Sequence, residues 1–180
     1  LEKDNVIGLK RGKQQITTEP GLQCELSGEP LENIHKVCSE SSNYLEEIKE
    51  ASKDLNIVTA SVGFDPFNSV SEIPKNPKER YKIMKEHMKR VGEKGLDMMF
   101  RTSTIQANLD FESESDMTKK LRVSLSIQPA IIALYANSPF ANGKLTNFLS
   151  YRSWIWTQTD NKRCGIIPFV FDDNYKQYRW

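Results

Sequence analysis

Acidic and amide side chains crowd one short stretch: Glu19 precedes a Pro20-Gly21 turn, and Gln23 and Glu25 follow it. Read as a strand, residues 22–26 place Gln23 and Glu25 on one face and Leu22, Cys24 and Leu26 on the other. Carboxylate and amide oxygens at that spacing suit Mg2+, a hard ion that takes one or two carboxylates beside substrate phosphates and keeps several waters. A solvated strand edge has the same pattern. Cys24, facing the leucines, reads as a small core residue.

Arg152 is placed differently. Phe148 four residues before it and Ile155 three after put it in the apolar stripe of a short helix, where a guanidinium needs an anion. A protein carboxylate would serve as a structural ion pair; a substrate carboxylate or phosphate would use the same planar fork. Arg80 stands beside Tyr81 at the edge of another stripe, where it can lie on the surface or reach into a cleft. Residues 98–111 alternate, with Met99, Ile105, Ala107, Leu109 and Phe111 on odd positions and Thr102, Thr104, Gln106, Asn108 and Asp110 on even ones. Exposed strand faces usually carry Lys, Glu or Arg, and this one has none from 102 to 110. Short hydrogen-bonding side chains in a row therefore suggest a lined cavity. Arg101 falls on the odd face, which a single bulge would reverse. Asp160, Arg163 and Thr157 read as a polar turn.

The elements that must hold these groups show no internal repeat. Residues 5–10 and 14–19 read as strands about Arg11-Gly12-Lys13, and 22–26 as the third strand of a meander. Pro30 opens a helix running to about Asp54, with Leu31, Ile34, Cys38, Leu45, Ile48 and Leu55 as its buried stripe. The β-branched run 57–64 predicts a strand, 66–77 a proline-bearing loop, and 78–91 a helix lined by Tyr81, Met84, Met88 and Val91. After the long polar-faced strand, Ser113 or Ser115 caps a third helix that Pro129 should kink. Asn142-Gly143 marks a loop, 146–156 a short helix and 166–171 a buried strand. Mixed helices with sequential, antiparallel strands make the class α+β in one domain.

Composition limits the function classes. A chain of 180 residues suits one domain with a real core. Lysine and arginine number 25 against 24 aspartate and glutamate, without long runs of one sign, which argues against a nucleic-acid surface. The longest apolar stretch, residues 129–136, falls far short of the roughly 20 residues that span a bilayer, so no membrane partner is expected. Cys24, Cys38 and Cys164 form no C-x-x-C pair and fit a reducing compartment, the cytoplasm or an organelle stroma. Only His35 and His87 offer imidazole, so a bound metal needs oxygen ligands. Neither a phosphate loop nor a dinucleotide fingerprint is present. The first residues lack an initiator methionine and a signal peptide's apolar core, so both ends are expected to be cuts within a longer gene product.

Several stretches carry a more specific signal. Thr18-Glu19-Pro20-Gly21-Leu22-Gln23-Cys24-Glu25-Leu26-Ser27-Gly28, Arg80-Tyr81-Lys82-Ile83-Met84 and Gly95-Leu96-Asp97-Met98-Met99-Phe100-Arg101-Thr102 come first. Gln106-Ala107-Asn108-Leu109-Asp110-Phe111, Ala136-Asn137-Ser138-Pro139-Phe140, Arg152-Ser153-Trp154-Ile155-Trp156-Thr157 and Pro168-Phe169-Val170-Phe171-Asp172-Asp173 follow. In this order they resemble glutamate-cysteine ligases of the plant and proteobacterial type over essentially the whole chain.

The resemblance implies a glutamine synthetase-like catalytic fold, a curved antiparallel sheet with outer helices, of which residues 1–180 are the central part with both termini missing. It implies ATP-dependent joining of the γ-carboxylate of L-glutamate to the amine of L-cysteine through γ-glutamyl phosphate, the first step of glutathione biosynthesis, with Mg2+ bridging the phosphates of ATP. By matching position, Glu19, Gln23 and Glu25 fall on the family's metal-binding strand. Arg152 and Arg80 match its substrate arginines, for the glutamate carboxylate and the transferred phosphoryl respectively. Thr102, Thr104, Gln106 and Asn108 would line the amino-acid pockets. Family members are more than twice this length, so the chain alone should lack a complete site. A ligase using another amine and a non-catalytic glutamate-binding fragment are the competing readings, and the oligomeric state is not legible in the sequence.

Overall fold

The computed structural model describes residues 5–172. Gly12, at a φ of +61°, turns the chain between β1 (Gly8–Arg11) and β2 (Gln14–Thr18). β2 pairs antiparallel with both β1 and β3 (Cys24–Ser27), Ile16 lying opposite Leu9 on one side and Leu26 on the other. This is the expected meander.

Helix α1 (Ile34–Asp54) is capped by Asn33, whose side chain accepts the Lys36 N–H at 3.1 Å. It meets the sheet through polar tips: Arg11 pairs with Glu47 at 2.7 Å, Gln14 donates to Glu40 at 2.6 Å, and the Tyr44 hydroxyl reaches the Cys24 carbonyl at 3.3 Å. The predicted stripe has the right period but not the predicted burial, since Ile34, Cys38, Leu45 and Leu55 are exposed. Cys24, expected in the core, is exposed as well.

The core lies further along the chain. Phe64, Ile73, Met98, Met99, Phe100 and Ile155 form it, with Met84, Met88, Leu96, Tyr151 and Trp154 packed around them. Helix α3 (Gly95–Arg101) packs against α2 (Glu79–Met88) and α5 (Tyr151–Thr157). Phe64, Tyr151, Trp154 and Phe148 make a chain of ring contacts with centroids 5.0 to 6.2 Å apart.

Helix α3 corrects the long strand predicted over 98–111. Asp97 in its first turn and Arg101 in its last are paired at 2.9 Å, the i,i+4 arrangement that suits the helix dipole. Successive apolar residues Met98, Met99 and Phe100 are all buried, which one face of a strand cannot achieve. Beyond Arg101, residues 103–111 take no regular structure, and Ile105 is 99% exposed. The strand predicted at 57–64 is likewise irregular. The two stretches meet at a single antiparallel bridge, Phe64 with Thr102, flanked by Asp65 N–H to the Arg101 carbonyl (2.8 Å) and Ser103 N–H to the Gly63 carbonyl (3.1 Å). β-branched composition favours a pleated, half-buried surface, and no described element covers Val58 or Ile105.

Helix α4 (Glu114–Leu134) starts where Ser113 accepts the Asp116 N–H, and holds Pro129 within it. Phe140–Ala141 (β4) and Lys144–Leu145 (β5) form a hairpin whose Asn142 and Gly143 both have positive φ, as a two-residue turn requires. The predicted strand at 166–171 is instead the 3-10 turn Pro168–Phe171, because the proline ring fixes φ and removes an N–H a ladder would use. Mixed helices and small antiparallel sheets make the chain α+β.

Candidate functional site

Glu19 lies where β2 gives way to the Pro20-Gly21 turn. Its N–H donates to the Gln23 carbonyl at 3.0 Å, and its own carbonyl accepts the Leu22 N–H at 2.9 Å. The Glu19 carboxylate accepts the Tyr81 hydroxyl at 3.1 Å and lies 3.9 Å from the Arg80 guanidinium, which also donates to the Tyr81 oxygen. Arg80 stands over the Tyr81 ring, 4.5 Å from its centroid. Its pKa is raised, first by the bond to Tyr81 and then by the fields of Tyr81, Glu19 and Glu25. Burial pushes the Tyr81 hydroxyl up, so it stays protonated and donates. Glu19 and Arg80 thus meet at one edge, with Tyr81 between them.

Gln23 does different work. Its amide nitrogen donates to the Thr102 carbonyl at 3.0 Å and the Met99 carbonyl at 3.4 Å, while its oxygen accepts the Gly21 N–H at 2.8 Å. A Cβ on Gly21 would strike the Phe100 carbonyl oxygen, so the turn sits directly on the end of α3. Thr102 is half-buried, its hydroxyl donating to the Met98 carbonyl at 2.7 Å. Thr104, Gln106 and Asn108 are exposed; the Gln106 amide donates to Asn108 at 3.0 Å.

Arg152 reaches the same segment from the other side. Its Nε donates to the Ser103 carbonyl at 2.9 Å, and its backbone N–H to the Ser138 hydroxyl at 3.2 Å. Gly63 leaves room beside it, since a Cβ there would lie 3.3 Å from the Arg152 Cδ. Burial lowers its pKa, with no acid acting against the shift. Among the described residues no carboxylate pairs with Arg152. Residues 102–103 therefore join Gln23 on one side to Arg152 on the other.

Tyr81, Lys78 and Asn76 also pack at the Glu19 edge, where the sequence reading did not place them. Asn76 donates through its amide to the Thr18 carbonyl (2.7 Å), the Thr18 hydroxyl (2.9 Å) and the Glu19 carbonyl (3.2 Å), and its N–H to the Pro20 carbonyl. The only signal in the sequence was the Asn76-Pro77-Lys78 run that opens α2.

Among the described residues no three acidic, histidine or cysteine side chains stand together as a metal cage. The carboxylates of Glu19 and Glu25 are oxygen donors, the ligand type a hard cation such as Mg2+ takes.

A second polar cluster ties α2 to the end of α5. Asp160, 2% exposed, accepts from Arg163 and Lys162 N–H and stands 3.0 Å from His87 Nε2. Next to it, a Cβ on Gly92 would strike the Thr159 carbonyl oxygen. His87 and then Arg163 hold the Asp160 carboxyl down to about 2. A pKa lowered by folding means that the ionised form stabilises the fold above the ordinary carboxylate range, and that this contribution is lost as pH falls from about 4 towards 2. The melting-temperature gap between the wild type and Asp160→Asn should be widest near neutrality and close across that window. A gap insensitive to acid would exclude this role.

No described helix is long and apolar enough to cross a membrane. The profile of glutamate-cysteine ligase family 2 (GCS2) matches residues 2–180. The chain is 53% identical over 175 residues to the chloroplastic glutamate–cysteine ligase A of Oryza sativa subsp. japonica, covering 97% of this chain and 36% of that protein. With the chloroplastic enzyme of Nicotiana tabacum it shares 53%, and with that of Arabidopsis thaliana 51%, in each case over 97% of this chain and 34% of the relative. The chain spans about a third of the length of these curated relatives. A match along nearly every residue, with the Glu19, Arg80 and Arg152 segments inside it, places the chain in the glutamate-cysteine ligase family.

Proposed function

We propose that the protein containing these residues joins the γ-carboxylate of L-glutamate to the amine of L-cysteine at the expense of ATP, the first step of glutathione biosynthesis. The observation that carries this reading is the family match over residues 2–180. Residues 1–180 are then the central part of one catalytic domain with a glutamine synthetase-like bowl. The relatives are named chloroplastic, which favours the plastid stroma, with the cytoplasm as the other reducing compartment.

The half-buried Arg152 fork, supported from Ser103, receives the glutamate carboxylate; planar bidentate geometry fixes the substrate's orientation as well as its charge. Arg80, held against the Tyr81 ring, faces the phosphoryl group as it passes from ATP to the γ-carboxylate. Glu19 and Glu25 would hold Mg2+, which would supply charge neutralisation on the phosphates of ATP. Gln23 keeps the turn seated on α3, setting Glu19 at a fixed height against Thr102. Thr102, Thr104, Gln106 and Asn108 border the amino-acid pockets. The cysteine amine then attacks the acyl phosphate, and phosphate leaves.

ADP release by the complete gene product, with Mg-ATP, glutamate and cysteine omitted in turn, tests this. Release should require both amino acids. Release indifferent to cysteine would point to another amine, and none from a folded protein to a glutamate-binding module.

A further inference from the structure

We propose that Lys78 is a positioning residue for Glu19, a role that rests on the ligase reading above. Lys78 is only 8% exposed, yet among the described residues no carboxylate pairs with its ammonium. Its Nζ donates to the Thr18 carbonyl at 3.0 Å and stands 5.4 Å from the centroid of the Tyr81 ring. An ammonium has three donors, and burying one without a counter-ion is costly, so the surroundings must hold it. The Thr18 carbonyl and the Tyr81 ring do so, and Asn76 braces the same point, its side-chain oxygen accepting the Lys78 backbone N–H at 3.1 Å while its amide shares the Thr18 carbonyl.

The Thr18 carbonyl belongs to the peptide unit that leads into Glu19. Lys78 therefore fixes the backbone immediately before the carboxylate, and Tyr81, three residues on, fixes the carboxylate itself at 3.1 Å. Arg80 lies between these two on the same segment. Backbone, side chain and neighbouring guanidinium are thus set by one short run, 78–81, so the aim of Glu19 cannot change without moving the start of α2. Ligands to a metal depend on such supporting contacts, and losing one typically weakens metal affinity about 10–100-fold.

The test is Mn2+ titration of the complete protein, followed by loss of the free-ion paramagnetic signal, on wild type, Lys78→Met, Lys78→Arg and Glu19→Gln, with circular dichroism confirming the fold. Lys78→Met should weaken Mn2+ binding about tenfold or more, and Lys78→Arg, which keeps charge and donors, should restore most of it. A merely structural lysine would lower the melting temperature of Lys78→Met and leave the affinity of its folded fraction unchanged, which overturns the proposal. If Lys78→Met does not fold, Lys78→Gln, which keeps an N–H donor and loses the charge, carries the same comparison. Weakened binding in Glu19→Gln but not in the lysine variants removes only the role of Lys78. Unchanged binding in Glu19→Gln removes Glu19 as a ligand, and the metal reading of this edge with it.

Discussion

Arg152→Ala should lower kcat/KM for glutamate in the complete enzyme by about a hundredfold or more, with the loss concentrated in KM. The size follows from removing charge-assisted hydrogen bonds to a carboxylate, each worth about 1.5–3 kcal/mol, against about 1.4 kcal/mol per decade of rate. It falls on KM because the α-carboxylate is bound in the ground state as in the transition state, and uniform binding leaves kcat the less affected. Stability should change little. The guanidinium makes one described side-chain bond, Nε to the Ser103 carbonyl, and a ring contact to Trp156 at 5.7 Å, and its removal strands no buried acid. Arg152→Lys should recover only part of the activity, because an ammonium keeps the charge and loses the two-pronged geometry. Steady-state kinetics with glutamate varied, beside a melting curve for each variant, make the check. An Arg152→Ala enzyme that keeps wild-type kcat/KM, or loses activity only in proportion to unfolding, would remove Arg152 from the glutamate site.

What was legible in the sequence was local. The β1–β2–β3 meander follows from glycine turns and short apolar alternation, α4 from a serine cap ahead of periodic residues, and α1 from its apolar period, though it starts after an Asn33 cap rather than at Pro30. Failures came where two periods coexist. Residues 98–101 pack on a helical face while 102–110 alternate like a strand, and reading both with a period of two hid α3. The polar alternation of Thr104, Gln106 and Asn108 was real as a pattern, but a ladder also needs a partner strand along its length, and the described contact is one bridge at Thr102. Burial failed for a related reason: a stripe such as Ile34, Leu45 and Leu55 shows which side of a helix is apolar, not what covers it. At the candidate site, residue type and spacing singled out Glu19 and Arg152, and family likeness added Arg80. Their joining through Tyr81 and residues 102–103 depends on contacts spanning 62 and 49 positions, which no spacing rule reports.

Arg101→Met should destabilise the fold by about 3 kcal/mol or more, the largest single effect expected on stability. The sequence left this arginine ambiguous, yet it is the most heavily engaged buried charge described. Its guanidinium pairs with Asp97 at 2.9 Å, donates to the Asp65 carbonyl at 3.1 Å and the Asn142 side chain at 2.8 Å, and stands 4.2 Å from the Phe64 ring centroid. It therefore ties α3, the 64–65 bridge and the β4–β5 turn to one point. Methionine fills most of the volume, so the predicted loss comes from electrostatics and stranded acceptors more than from a cavity. Asp97 would keep only Lys94 at 3.6 Å, a longer pair to a half-buried partner that water still partly screens. Adding Asp97→Asn to Arg101→Met should recover part of the loss, since breaking a buried pair at one end costs more than neutralising both. The Nε of Arg101 already lacks a partner, which limits what the guanidinium contributes and makes a complete double-mutant cycle the proper measure. Denaturant melts of the two single variants and the double would show a coupling of the sign expected for a broken pair. Additive losses would mean that Arg101 acts through packing on Phe64 rather than through Asp97.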